Sequence, residues 1–351
     1  MKVLVIKLNS LGDVVMALPM LGAIREIDEG ARITWVCADT VAPLLKELSS
    51  IDELLVVDEG KLLGKRGVLL AACELAKVCL RLAGRRYDLV VTGHRDYRYR
   101  LLSCTVRSDK RRSFSRNWPV PGRYHADEYI RLVTRAEGPD TKPARLPTLR
   151  LPLSESLDAA LKGIRPPLIA LAPGGATNAL RDQPLKRWPL QRYAELAKRA
   201  LGLGWGVAIT GAPSDEWVRE AFRALAIVDL VGKTGIKDLV GLYNRCDAVV
   251  THDSGPMHLA ALAGAPLVGL FGPTDPAWFA PRQKDVKILW GGSELPCRPC
   301  YDGKNYARCG ENVCLQQISV NMVVNALNEL IGTPCAHATT TRAPVTAVMR
   351  R

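Results

Sequence analysis

No apolar run in this chain is long enough to span a bilayer, and Met1 leads straight into a strand-like stretch holding Lys7, with no signal-peptide pattern after it. A cytoplasmic protein is therefore expected. The first half carries no glycine fingerprint of the dinucleotide-binding kind, and no Asp-x-Asp metal motif occurs anywhere in the chain. No cofactor is expected. Recognised DNA- and RNA-binding motifs are missing too, and the aromatic residues, 6% of the chain, are not arrayed along one strand face. The ten cysteines are scattered apart from one cluster, which fits a reducing compartment rather than a disulfide framework.

What is present is a chain of 351 residues, long for one core, with 48% hydrophobic and 24% charged residues. Two domains are the natural division. The net charge of +13 attracts polyanions independently of fold, so nucleic acid, anionic membrane and phosphorylated substrates all come into view. The excess is uneven. Between Arg81 and Arg123 lie Arg85, Arg86, Arg95, Arg98, Arg100, Arg107, Lys110, Arg111, Arg112 and Arg116, against Asp88, Asp96 and Asp109. Such a run is either a solvated face or a surface for an anionic partner.

The rest is organised around Ala248 to Pro273. Ala248 to Thr251 reads as a buried strand, Ser254-Gly255-Pro256 as a tight turn, Met257 to Ala263 as a helix and Pro266 to Phe271 as a second strand. In open parallel sheets a ligand sits beyond the carboxyl ends of the strands, where a helix begins with unpaired N–H groups. Asp253, Ser254, Gly255 and His258 occupy that position. Either they hold a phosphorylated ligand, or Asp253 and Ser254 simply cap a buried helix that contains a core histidine.

Upstream, Lys2 to Leu8 reads as a strand, Leu11-Gly12-Asp13 as a loop, and Val14 to Ile27 as a helix with a kink at Pro19. Asp13 thus sits at a strand-to-helix junction, as a helix N-terminal charge or as a base presented to a cleft. Strands Arg32 to Ala38, Glu53 to Val57 and Asp88 to Thr92 alternate with helices Val41 to Leu48 and Leu69 to Leu82. Gly122 to Arg135 enters a helix, and proline-rich Thr141 to Pro152 with Leu153 to Arg165 forms a bridge. A second half then begins, with strands Leu168 to Ala172, Val207 to Thr210 and Val228 to Val231 and helices Leu190 to Leu201 and Ile236 to Arg245. Its strands all end in polar or glycine loops.

Three motifs carry a family resemblance. Lys7-Leu8-Asn9-Ser10-Leu11-Gly12-Asp13 resembles the K-x-x-x-x-G-D of glycosyltransferase family 9, the ADP-heptose:lipopolysaccharide heptosyltransferases. Lys186-Arg187-Trp188-Pro189 is similar to that family's K-x-W-P, and Asp253 to His258 to its D-[ST]-G-x-x-H, with Phe271-Gly272-Pro273-Thr274 following. The resemblance implies an α/β GT-B fold, two Rossmann-like domains facing across a cleft. Residues 1–165 would be the acceptor-binding domain with its linker and 166–331 the nucleotide-sugar domain, leaving 332–351 as a disordered tail.

The implied activity is inverting, metal-independent transfer of a heptose from ADP-heptose to a lipid-linked inner-core oligosaccharide. Asp13 would be the base and Lys186 the cation on the leaving diphosphate. Thr177, Ser254, Gly255 and His258 would hold phosphates and ribose, while Asp253 supports the loop or bonds a hydroxyl. Thr234 falls where adenine is contacted and Glu216 near the nucleotide. Arg95, Arg98 and Arg100 would grip acceptor carboxylates and phosphates and rest on the anionic inner leaflet. Cys297, Cys300, Cys309 and Cys314 offer an alternative metal site. A transferase or epimerase of the same fold using a UDP-sugar, or a basic nucleic-acid-binding protein, are the competing readings.

Overall fold

The computed structural model describes residues 1–65, 67–96, 98–114, 122–135, 143–177, 182–303 and 305–332. Two fully parallel sheets organise them. The first has five strands in the order Glu53–Val57, Arg32–Ala38, Lys2–Ile6, Leu89–Thr92 and Arg111–Ser113. The second has six, in the order Val228–Asp229, Gly206–Ile209, Leu168–Ala172, Ala248–His252, Leu267–Phe271 and Val286–Trp290. Both follow the doubly wound plan, in which the strand order reverses beside the first strand.

The central strands are buried on both faces because helices cover both. Val3 to Ile6 and Ala248 to Val250 have no measurable exposure. Such continuous apolar runs belong to parallel sheets, and each fully buried aliphatic side chain contributes roughly 1.5–3 kcal/mol. Asn244 fastens the bridge to the second half: its side-chain oxygen accepts from Leu151 N at 2.9 Å, and its amide donates to the carbonyls of Leu149 and Ala263.

Several expectations are revised. Leu11, Gly12 and Asp13 form the first turn of a helix, Leu11–Ala17, instead of a loop. The Val14 to Ile27 helix is broken at Leu18, with Pro19 opening Pro19–Ile27, because proline lacks the N–H that a continuous helix would need there. The Arg111–Ser113 and Val286–Trp290 strands and the Val320–Gly332 helix had no counterpart in the sequence reading. Within the bridge, Glu155–Ala160 is helical. Gly332, the first residue of the expected tail, closes the Val320–Gly332 helix, and Tyr97, Arg116 and the rest of that tail, with Cys335, lie outside the described residues. Among the described residues, no helix is long and apolar enough to cross a membrane.

Candidate active site

The first half contributes a lysine and a carboxylate. Lys7 follows its strand directly and is buried, and Trp35 Nε1 donates to its carbonyl at 3.0 Å. Its ammonium lies 3.3 Å from Asp13 Oδ2. Burial pushes the Asp13 carboxyl up, but the fields of Lys7, His125 and His258 and the Lys7 hydrogen bond together hold it below the usual carboxylate range. The Asp13 side chain keeps 36% exposure, and that opening faces a cavity of about 280 Å³.

The second half meets this cavity with the Gly255–Ala263 helix. Ser254 stands at its N-cap in extended backbone but makes no capping bond; its hydroxyl donates to the His252 carbonyl at 3.1 Å. The simple capping role considered for Ser254 is therefore corrected. The uncapped helix N-terminus borders the cavity, as an anion site requires.

Lys186 reaches the same cavity from a short 3-10 turn, with its ammonium 2.7 Å from Asp253 Oδ2. Thr274 Oγ1 donates to the same oxygen at 2.7 Å. Burial raises the Asp253 carboxyl, but Lys186, Thr274 and His258 outweigh it, so Asp253 stays ionised and fixes Lys186 in place.

His258 is buried one turn into its helix, where burial drives its pKa down to about 4 despite Asp253 and Asp13, leaving a neutral ring at neutral pH. Among the described residues, its Nδ1 has no hydrogen-bond partner.

A larger adjoining cavity of about 570 Å³ shares Ser10, Leu11, Thr177 and Gly255 with the first. Thr210, Gly211, Ala212, Thr234 and Leu239 line it, a set of small and aliphatic groups with room for a nucleobase. Thr177 spans both cavities, and its hydroxyl accepts from Arg187 Nη2 at 2.9 Å and donates to Asp182 Oδ1 at 2.9 Å.

Glu216 is not among the lining residues. It is 68% exposed and pairs with Arg219 at 3.1 Å. Its neighbour Asp215 turns inward instead: Oδ1 accepts from Gly175 N at 3.0 Å and Oδ2 from Ala212 N at 2.8 Å. A Cβ at Gly174 would collide with the Asp215 carboxyl, so that glycine is required by close approach. The Pro213-Ser214-Asp215 run after Gly211 is the pattern of a helical N-terminus whose third residue caps it, and it was the readable signal.

The basic triplet stands outside both cavities. Arg98 pairs with Asp96 at 2.6 Å, and Arg100 donates to the Phe114 carbonyl at 3.2 Å. Arg95 is exposed, but its charge opposes protonation of His125. His125 lines the first cavity at the start of its own helix, its ring tilted against that of Phe279 with centroids 4.4 Å apart. Burial brings its pKa down to about 4. In the sequence the Gly122 to Arg135 loop and helix do not mark this histidine out, although its junction is like that of Asp13. Phe279, Tyr301 and Tyr306, which form an aromatic wall, were missed altogether.

Cys297, Cys300, Cys309 and Cys314 gather round a separate cavity of about 190 Å³. Among the described residues, no group of three or more His, Cys, Asp or Glu side chains is placed to hold a metal ion. The alternative metal site is corrected accordingly: proximity without convergent thiols is not a ligand set.

Residues 111–309 match the family model for Glycosyltransferase family 9 (heptosyltransferase). The chain is 30% identical to the Lipopolysaccharide heptosyltransferase 2 of Salmonella typhimurium over 322 residues, covering 82% of this chain and 88% of that protein. It is 36% identical to the Lipooligosaccharide heptosyltransferase 2 of Haemophilus influenzae over 181 residues, which is 49% of each chain. The glycosyl transferase family 9 structure from Veillonella parvula superposes with a TM-score of 0.74 at 25% identity, covering 94% of this chain and 97% of that one.

Proposed function

The chain belongs to glycosyltransferase family 9, and on that premise we propose that it moves a heptose from ADP-heptose to the inner core of a lipopolysaccharide precursor, inverting the anomeric centre without a divalent metal. The observation that carries this reading is that Asp13, from the first half, and Lys186, from the second, face one cavity.

The acceptor hydroxyl oxygen attacks the anomeric carbon while its proton passes to Asp13. The bond from that carbon to the diphosphate oxygen breaks, and ADP leaves with the electron pair. Lys186 and the uncapped Gly255–Ala263 terminus meet the charge that develops there. Ser254, Gly255 and Thr177 hold the phosphates, neutral His258 bonds a phosphate or ribose hydroxyl, and Thr234 lies along the adenine. Residues 1–165 serve as the acceptor half and 166–331 as the donor half. Arg95 is the member of the basic triplet best placed for acceptor anions, and the enzyme works peripherally at the cytoplasmic face of the inner membrane.

Donor-induced stabilisation tests the nucleotide assignment. An ADP-sugar raises the melting midpoint more than the matching UDP-sugar at equal concentration. Equal shifts, or a larger one with UDP, contradict the ADP reading.

A further inference from the structure

Helix Val68–Leu82 presents the wrong residues to water. Leu69, Ala72, Cys73, Ala76, Leu80 and, just past its end, Ala83 recur at three- and four-residue spacing and are all exposed. They form one apolar stripe along the outer face. Leu69 is 83% exposed, Leu80 76%, and Val68 at the helix start 82%. The opposite face is an ordinary core face: Val78 and Leu82 are buried there, and buried Glu74 accepts from Asp58 N at 3.0 Å, while Cys79 is buried at the stripe's edge. The stripe is therefore surplus to folding.

The exposed charges on this helix are cationic. The helix has a single acid, Glu74, on the buried side, where Lys77 pairs with it at 3.7 Å while staying largely in the open; Arg81 is exposed one turn further on. The Arg98–Leu101 helix lies along the stripe's Cys79 edge, with the Leu101 carbonyl accepting from the Cys79 thiol at 3.4 Å, and it adds exposed Leu101, Arg98, paired with Asp96, and Arg100, bonded to the Phe114 carbonyl. Aliphatic side chains rimmed by cations, on a helix too short to span a bilayer, suit the interface of an anionic one.

We propose that the outer face of Val68–Leu82 docks this protein on an anionic phospholipid bilayer, with Leu69 and Leu80 entering the acyl boundary and Lys77, Arg81 and Arg98 meeting the headgroups. The assignment rests on the transferase reading in one respect, since an acyl-anchored acceptor lies in such a bilayer. Glu74 ties the helix to Asp58, next to the Glu59–Leu62 turn whose Glu59 borders the larger cavity, so the docking face and the cleft are joined through one hydrogen-bonded segment.

Co-sedimentation of the full chain with phosphatidylethanolamine–phosphatidylglycerol vesicles tests this, alongside transfer to a deacylated, water-soluble acceptor. The wild type pellets with these vesicles and much less with phosphatidylcholine alone. Leu69→Gln/Leu80→Gln lowers partitioning by about tenfold or more, because two aliphatic insertions are lost. Its ADP-sugar-induced melting shift and soluble-acceptor transfer stay unchanged, and Leu69→Met/Leu80→Met keeps wild-type pelleting. Undiminished pelleting by the glutamine variant overturns the proposal. So does a wild type that fails to pellet while transferring normally, or a stripe whose substitution abolishes self-association in vesicle-free solution without altering pelleting. Pelleting without transfer supports the docking face and overturns the transferase reading instead.

Discussion

A Cβ placed on Gly12 would stand 2.6 Å from Cδ2 of His258, so the two halves of the molecule touch through a glycine. Gly12 lies in the first turn of the helix that carries Asp13, and His258 in the helix that borders the donor side of the cavity. The contact sets how closely base and donor site approach.

Gly12→Ala is accordingly expected to fold but to hold the halves apart. Since a displacement of about 1 Å in reacting groups can cost on the order of a hundredfold, kcat/KM should fall by about that factor. Initial-rate kinetics, with circular dichroism to verify the fold, decide it. Near-normal kcat/KM contradicts the role given to this contact.

Removing the ammonium of Lys7 should move the pH profile. Asp13 is held below the ordinary carboxylate range largely against its own burial, and Lys7 is the principal opposing charge. A base works when deprotonated, so the acid limb of kcat lies low in the wild type. Lys7→Met should shift that limb to higher pH while the plateau rate changes less. An unmoved limb contradicts the coupling.

Lys186 and Asp253 separate charge stabilisation in the reaction from stability of the fold. Lys186→Met leaves the Asp253 carboxylate buried without its cation, costing about 3–5 kcal/mol. It should also lower kcat by roughly a hundred- to a thousandfold, the usual loss for a group that meets developing charge. Lys186→Met/Asp253→Asn should recover the melting midpoint but not kcat. Recovery of both means that Lys186 is structural only.

Much of this site was legible because parallel α/β folds put chemistry at strand ends. The strand at Ala248, the helix at Gly255 and the glycine loops of the second half follow from apolar runs and breakers alone, and so locate Ser254, Gly255 and His258. Lys7 and Asp13 were visible as a motif, but their ion pair was not, since it depends on a helix starting at Leu11 instead of Val14. Glu216 and Asp215 show the limit of sequence position: one residue of register inside a 3-10 turn decides which carboxylate faces the glycine loops. His125, Phe279 and Tyr301 converge from distant segments, and no local pattern encodes such an encounter. The short strand Arg111–Ser113 hid inside a basic run because its side chains read as a solvated face.

Acid should unfold the protein through its buried histidines. His125 and His258 titrate at about 4 and His252 at about 3, each pushed down from 6.5 chiefly by burial. The unfolded chain therefore binds more protons below about 6.5, and stability present above that pH is lost progressively as pH falls toward 4. Thermal midpoints measured across that window should fall steadily on acidification. A midpoint that rises contradicts the neutral, buried assignment.

The most direct measurement is mass-spectrometric detection of transfer from ADP-heptose to a heptose-less inner-core acceptor in EDTA, with wild type and Asp13→Asn side by side. The account predicts a single heptose increment with the wild type, a rate lower by about a hundred- to ten-thousandfold for Asp13→Asn, and undiminished ADP-heptose binding by that variant. An Asp13→Asn enzyme that turns over at the wild-type rate, or activity that vanishes in EDTA and returns only with Mg²⁺, would contradict it.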